Sequence, residues 1–208
     1  MAGRKAPARR EGARGGTLTP PRLFLVAPAD APAAHVLDCM RAACEAGDVA
    51  SLLLPASLAK DVTASAQELG VAVMVSGEPR DAARCGADGI QVDANTEEVA
   101  EARAALGKDR FIGAYAGASR HFAMEAAEAG ADYIAFDQNG ASVGGEPIIR
   151  WWSDMMEIPC VAFTPVEPEG LDILLPQKPD FIRPADAMWQ DAGEACRIVA
   201  ALTNALRT

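Results

Sequence analysis

The chain has 208 residues, of which half are hydrophobic and 23 % are charged, so its size and composition fit one globular domain. Its net charge of −10 argues against nucleic acid as a partner, because binding to a phosphate backbone requires a basic surface. No apolar run approaches the ~20 residues of a membrane span, so we expect no membrane partner either.

Residues 1–20 differ from the rest of the chain in charge and composition. They contain five Lys or Arg residues and one Glu, they are rich in Ala, Gly and Pro, and they lack an apolar run. A signal peptide needs such a run, so we predict a disordered basic tail over residues 1–20 and one folded domain over residues 21–208. A tether to nucleic acid or to a membrane is the alternative function of this tail.

The five cysteines form an odd set without a CxxC pair. They lie in apolar stretches of predicted helices and strands, which predicts reduced, buried thiols and a cytoplasmic protein. A catalytic thiol is the alternative role for one of them.

Eight short apolar runs recur along the chain, and each is continuously apolar rather than alternating. This pattern is typical of strands that are buried on both faces of a parallel sheet. The predicted strands are Leu23–Ala27, Val49–Leu54, Val71–Val75, Gly89–Val92, Phe111–Tyr115, Tyr133–Phe136, Cys160–Phe163 and Phe181–Ile182.

Segments with helical periodicity separate these strands, and most of them end at a glycine, as helices often do. The predicted helices are Ala33–Ala46, Ser57–Leu69, Glu78–Cys85, Thr96–Leu106, Ser119–Ala129, Glu146–Glu157 and Ala187–Leu206. The stretch from Thr164 to Pro179 contains four prolines, so we predict a loop with one helical turn there.

An internal echo supports a repeated βα unit. The segment Ala83–Asp93 reappears 44 residues later as Ala127–Asp137, with a glycine, an alanine and an aspartate before each strand. Eight such units predict a single (β/α)8 TIM barrel, which closes the sheet and removes its edges. A doubly wound open sheet is the alternative, but no Gly-rich dinucleotide fingerprint follows the first strand.

In such a barrel the working groups follow the strands, and two aspartates occupy equivalent places in the echo. Asp93 and Asp137 are therefore candidate catalytic residues, as an acid and base pair or as joint metal ligands. The alternative is that each aspartate caps the next helix or closes a turn.

A second set of polar residues predicts an anion site. Ser119, Arg120 and His121 stand at the start of the fifth helix, where free backbone amides and a guanidinium suit a phosphate. A helix N-terminus also favours a neutral imidazole, so His121 is a third candidate catalytic residue. The other predicted ligand-binding residues follow strands six, seven and eight, and they are Gln138, Thr164 and Arg183.

Several segments, taken in order, resemble the family of thiamine phosphate synthase and the related TenI thiazole tautomerase. The similarity runs from about Leu23 to Leu206, and it is carried by Leu23–Val26, Cys85–Ile90, Gly130–Ile134 and Ile158–Ala162. The resemblance implies a barrel fold, a transferase that joins a pyrimidine diphosphate to a thiazole phosphate, and Mg²⁺ as its cofactor.

The positions that carry the family's chemistry hold other residues here. The phosphate-gripping Gln-x-Arg-x-Lys after the second strand is replaced by Leu52–Ala56, and the Asn-Asp that holds Mg²⁺ is replaced by Ser76-Gly77. The Gly-Gly-Ile phosphate loop after the seventh strand is Thr164–Val166, and the tautomerase histidine falls near Asp137-Gln138. The Mg²⁺ and diphosphate sites are therefore expected to be degenerate, and we assign no metal ligand.

These residues leave three functions open. The first is a barrel of the thiamine phosphate synthase type that binds a small phosphorylated heterocycle and, if active, is a transferase. The second is a non-catalytic or regulatory ligand-binding barrel. The third is an isomerase or lyase that acts on a sugar phosphate through Asp93, His121 and Asp137, and all three leave a homo-oligomer open.

Overall fold

A computed structural model describes residues 20–138 and 145–207 of the chain. Eight parallel strands follow one another around a closed barrel in sequence order, and the eighth strand pairs with the first. The predicted single (β/α)8 barrel is confirmed, and the open doubly wound sheet is wrong because no strand edge is left free.

The eight strands coincide with the predicted ones to within two residues at each end, except for the seventh. They are β1 (Arg22–Val26), β2 (Val49–Pro55), β3 (Ala72–Ser76), β4 (Gly89–Asp93), β5 (Phe111–Gly117), β6 (Tyr133–Phe136), β7 (Cys160–Val166) and β8 (Phe181–Pro184). Strand β7 continues three residues beyond its predicted end, because Val166 still pairs with Pro184 of β8.

The helices lie outside the barrel. They are α1 (Ala33–Ala46), α2 (Ala56–Glu68), α3 (Pro79–Cys85), α4 (Thr96–Leu106), α5 (Arg120–Glu128), α6 (Ile148–Met155), α7 (Leu171–Leu174) and α8 (Ala192–Ala205). The predicted loop with one helical turn is confirmed, since α7 is one turn between two short 3-10 segments.

The last predicted helix was too long. The segment Ala187–Leu206 is divided into a 3-10 turn over Asp186–Trp189 and helix α8. Asp191 causes the break, because its backbone is extended and its carboxylate accepts the amide N–H of Glu194 at 2.9 Å as an N-cap.

A recurring aspartate explains the echo in the sequence. The residue just before strands β4, β6 and β8 accepts, through its carboxylate, a backbone N–H near the start of the preceding strand. The three bonds run to Asp88 from Val73 at 2.8 Å, to Asp132 from Ile112 at 2.8 Å and to Asp180 from Cys160 at 2.9 Å. Each aspartate thus satisfies a donor that the barrel wall leaves unpaired, and it ties two strands together.

Two hydrophobic cores result from strand alternation. The larger lies between strands and helices, and the smaller fills the barrel lumen around Phe24, Tyr133 and Phe181. Tyr133 is fully buried there, and its hydroxyl donates to the side-chain oxygen of Gln91 at 3.0 Å. This end of the lumen is therefore a packed core, whereas the carboxyl ends of the strands are where barrels of this kind hold ligands.

Three expectations about the rest of the chain have different outcomes. The predicted tail lies outside the described residues apart from Pro20, so its disorder stays a prediction. The prediction of buried cysteines is wrong for Cys196, which is exposed on α8. For Cys44, burial raises the pKa of the thiol to about 11. None of the helices that the structure describes has the length and apolar character of a membrane span.

Candidate functional site

Five side chains project into the mouth of the barrel from consecutive strands. Strand alternation turns every second residue inward, so the inward set of the lumen core continues to Asp93 at the end of β4 and Tyr115 in β5. The same alternation brings in Asp137 after β6, Phe163 in β7 and Arg183 in β8. These residues surround the position at which barrels of this architecture hold their ligands.

Tyr115 and Asp137 form the shortest polar contact of the mouth. The phenol of Tyr115 donates to Oδ2 of Asp137 at 2.5 Å, and this hydrogen bond together with partial burial raises the pKa of Tyr115 to about 12. Tyr115 is therefore a protonated donor at neutral pH. The sequence placed it at a strand end without a role, because nothing local shows that its partner lies 22 residues away across the strand pair.

Arg183 lies on the aromatic wall of the mouth. Its guanidinium carbon is 5.2 Å from the centre of the Phe163 ring, and Phe163 in turn packs on Tyr115 at 5.3 Å between ring centres. One terminal nitrogen donates to Asp186 at 2.7 Å and the other to the Phe163 carbonyl at 3.3 Å. Within residues 20–138 and 145–207, the Nε atom is buried and has no hydrogen-bond partner.

Two cavities open at this end of the barrel. One, of about 510 Å³, lies over the lumen between Val26, Leu53 and Phe163. The other, of about 780 Å³, extends outward between the starts of α4 and α5. Asp93, Glu98 and Tyr115 line both, and neither lining includes a lysine, an arginine or a histidine.

The carboxylate of Asp93 is not used as a helix cap. Asn95 caps α4 instead, because its side-chain oxygen accepts the N–H of Glu97 at 2.9 Å. Within the described part of the chain, the Asp93 carboxylate has no hydrogen-bond or ion-pair partner, so it faces the cavities as a free negative charge.

Gln138 and Thr164 are brought together, but through the backbone of Thr164. The side-chain amide of Gln138 donates to the Thr164 carbonyl at 2.8 Å, and its oxygen accepts the Thr164 N–H at 3.0 Å. The polar groups of the Gln138 side chain are thus engaged within the barrel wall between β6 and β7.

The predicted group at the start of α5 has partners of its own. Ser119 caps the helix by accepting the N–H of Phe122 at 3.2 Å. Arg120 stacks on Trp151, with its guanidinium carbon 4.6 Å from the ring centre, and His121 is 73 % exposed and lies 3.4 Å from Glu125. Asp93 lines both cavities, whereas Asp137, Arg183 and His121 line neither. Asp137 and Arg183 reach the mouth through their contacts with Tyr115 and Phe163.

A magnesium ion fits this site poorly. No three Asp, Glu, His or Cys side chains among residues 20–138 and 145–207 are grouped so as to hold a metal ion. Asp137 is already engaged by Tyr115, and Ser76 and Gly77 supply no carboxylate at the end of β3. Mg²⁺ is usually held by one or two carboxylates together with water and substrate phosphates, so the described residues offer it Asp93 at the mouth but no preformed group of ligands.

Comparison with known proteins agrees with the fold and adds the family. The profile of the family described as thiamine monophosphate synthase matches residues 23–182. A thiamine-phosphate synthase of Rhodospirillum centenum is 32 % identical over 206 residues, which cover 91 % of this chain and all of that protein. One from Erythrobacter litoralis is 36 % identical over 143 residues, which cover 64 % of this chain and 67 % of the relative.

Among solved structures, thiamine phosphate pyrophosphorylase from Pyrococcus furiosus superimposes with a TM-score of 0.73 at 18 % identity, covering 89 % of this chain and 95 % of its own. At that identity the likeness shows the barrel fold alone. The sequence matches go further, because they extend over most of the folded chain. The chain therefore belongs to the thiamine monophosphate synthase family.

Proposed function

We propose that this barrel binds a small phosphorylated heterocycle, of the thiazole or pyrimidine phosphate type, at the carboxyl ends of its strands. The observation that carries the proposal is Arg183, a cation stacked on Phe163, whose ring lines the 510 Å³ cavity. A planar ring packs against Tyr115 and Phe163, and its phosphate binds the guanidinium.

The phosphate competes with Asp186 for Arg183. Asp186 is 60 % exposed, whereas the Arg183 side chain is 17 % exposed, so the carboxylate is the more solvated and mobile partner. A phosphate that replaces it makes a charge-assisted bond to a guanidinium already held by Phe163.

The same mouth is poorly suited to the full synthase reaction. A diphosphate needs lysine, arginine or a metal ion to offset its charge, yet Asp93 and Glu98 are the charged groups shared by both cavities. We therefore propose weak or absent Mg²⁺-dependent turnover, and any activity that remains is that of a transferase of the synthase type. Without turnover, the protein is a non-catalytic or regulatory barrel that binds the same class of ligand.

An isomerase or lyase acting on a sugar phosphate receives less support. The Tyr115–Asp137 pair offers a proton donor beside a carboxylate, which suits proton transfer. The proposed third member, His121, is exposed on α5 and lines neither cavity.

The test is calorimetric binding of thiazole phosphate, pyrimidine diphosphate and thiamine phosphate, each with and without Mg²⁺. Changing Arg183→Ala is expected to weaken the binding of a phosphorylated ligand by at least ~1.5 kcal/mol, the value of one lost charge-assisted bond. Arg120→Ala measures whether the start of α5 contributes, as the sequence predicted. Arg150→Ala is the matched control, because Arg150 pairs with Asp154 on the exposed side of α6.

Two results count against the proposal. Unchanged affinity in Arg183→Ala, with the fold intact by circular dichroism, places the phosphate elsewhere. Robust Mg²⁺-dependent formation of thiamine phosphate by the purified chain contradicts weak turnover, and it requires a metal site built on Asp93 and Asp137.

A further inference from the structure

We propose that Gln138 is a specificity-determining residue, whose side-chain amide occupies the backbone position at which a phosphate would bind after strands β6 and β7. The inference rests on the proposed function, because it concerns how that mouth receives a phosphate. On this proposal, the Gln138 side chain makes the site prefer a single phosphate over a diphosphate.

The register of the barrel wall identifies what the Gln138 side chain replaces. Strand β6 pairs with β7 up to Phe136, which stands opposite Ala162. Continuing this pairing by two residues on each strand places Gln138 opposite Thr164. There the backbone of β6 has ended, and the Gln138 amide supplies both hydrogen bonds instead, at 2.8 and 3.0 Å.

This arrangement occupies a backbone donor at the carboxyl end of β7. Barrels commonly bind phosphate in the loops after the seventh and eighth strands, where free backbone N–H groups point at the ligand. Here the N–H of Thr164 is taken by Gln138, and the following residue is Pro165, which has no N–H.

The other side of the same position is closed by strand pairing. Strand β7 continues to Val166, which stands opposite Pro184, and the N–H of Ala185 donates to the Val166 carbonyl at 3.0 Å. The segment that would form an open phosphate loop is therefore short, since β7 pairs with β8 at Ala162 and again at Val166, with an irregularity between them. Arg183 is left as the cation of this part of the mouth.

A phosphate that used the Thr164 N–H would have to displace the Gln138 amide. It would then leave the Thr164 carbonyl and the amide group without partners in a half-buried place, which opposes binding. One phosphate can be held by Arg183 without this displacement. A second phosphate needs further donors, and the Thr164 N–H is already bonded to Gln138.

The experiment compares two variants that both remove the amide. Gln138→Ala frees the Thr164 N–H and also opens space beside it. Gln138→Met frees the same N–H but refills the space with a side chain of similar length. It therefore controls for a general loosening of the contact between β6 and β7. Binding of inorganic phosphate and of inorganic pyrophosphate is measured by calorimetry, and the Thr164 amide is followed by ¹⁵N nuclear magnetic resonance.

The proposal expects Gln138→Ala to bind pyrophosphate about tenfold more tightly than the unmodified chain, which corresponds to about 1.4 kcal/mol. Gln138→Met frees the same N–H, so it is expected to gain affinity as well, and the Thr164 resonance should shift on titration in both variants. If Gln138→Ala does not fold, Gln138→Ser provides the same opening with a smaller loss of polarity.

Three outcomes overturn the proposal. They are unchanged pyrophosphate affinity in a folded Gln138→Ala chain, a gain in the Ala variant without one in the Met variant, and a Thr164 shift when phosphate is added to the unmodified chain. The proposed function fails by a different result, namely no binding of any heterocyclic phosphate by the unmodified chain. That result leaves the comparison of Gln138 variants with inorganic anions intact.

Discussion

Adding one methyl group at Gly113 should destabilise the barrel more than almost any other change of that size. Gly113 lies in β5 opposite Tyr133 of β6, and a Cβ atom built on it would overlap the Cζ, Oη and Cε1 atoms of the Tyr133 ring. The ring is 2 % exposed and is packed in the lumen against Phe24, so it has no free direction in which to move.

The magnitude follows from two losses. Overpacking of a filled core costs about 1–3 kcal/mol. A displaced Tyr133 also abandons its 3.0 Å bond to Gln91, and an unsatisfied buried amide costs a further ~1–3 kcal/mol. We expect Gly113→Ala to lower the free energy of unfolding by about 2–6 kcal/mol, which for a chain of this size lowers the melting temperature by roughly 10 °C.

Urea unfolding followed by circular dichroism measures this loss, with Gly170→Ala as the matched control. Gly170 has ordinary backbone angles, and a Cβ there meets its nearest neighbour at 3.4 Å, so the control should change stability by less than about 0.5 kcal/mol. In a Tyr133→Leu background the added methyl should cost far less. A loss below about 1 kcal/mol in Gly113→Ala, or an equal loss in both backgrounds, would refute the packing described for the lumen.

Three further predictions concern ionisation, strand attachment and the tail. The chain has two tyrosines. The bond to Asp137 raises the pKa of Tyr115 to about 12 and burial raises that of Tyr133, so absorbance at 295 nm should show almost no phenolate at pH 10 in the folded chain. Because the folded pKa of Tyr115 exceeds the unfolded value, stability should fall as the pH rises from about 10 towards 12, and Tyr115→Phe should remove that contribution. Asp132→Ala should lower the unfolding free energy by about 2–3 kcal/mol, since it removes an acceptor for a β5 amide and the partner of Arg103, and a loss under 1 kcal/mol in urea would contradict this. Deleting residues 1–19 should leave the melting temperature almost unchanged in calorimetry, and a drop of many degrees would show that they pack on the barrel.

Much of the architecture could be predicted from local signals. Continuous apolar runs identify strands buried on both faces, and glycines mark the ends of α3 and α4 at Gly86 and Gly107. The boundaries that were wrong depended on distant partners. Strand β7 is extended by Pro184, which lies on another strand, and the separation of α8 from the preceding 3-10 turn depends on how the carboxylate of Asp191 is used.

The candidate site was less accessible to prediction because its members come from different strands. Asp93, Asp137 and Arg183 were expected at the mouth because strand ends in a barrel share one face. Their roles stay predictions: Asp93 lines both cavities, Asp137 binds Tyr115 and Arg183 stacks on Phe163. The three residues at the start of α5 follow β5 in the chain, and the same argument assigned them to that face. Their side chains are instead engaged by Phe122, Trp151 and Glu125.

The sequence by itself determined that this protein is a closed βα barrel of the thiamine monophosphate synthase family, because periodicity, helix ends and family motifs are local along the chain. Only the tertiary structure decided which side chains hydrogen-bond to one another at the carboxyl ends of the strands. The pairs Tyr115–Asp137 and Gln138–Thr164 join residues 22 and 26 positions apart. Such pairs depend on barrel register and on which side chains compete for one donor, and neither is written in any single segment of the chain.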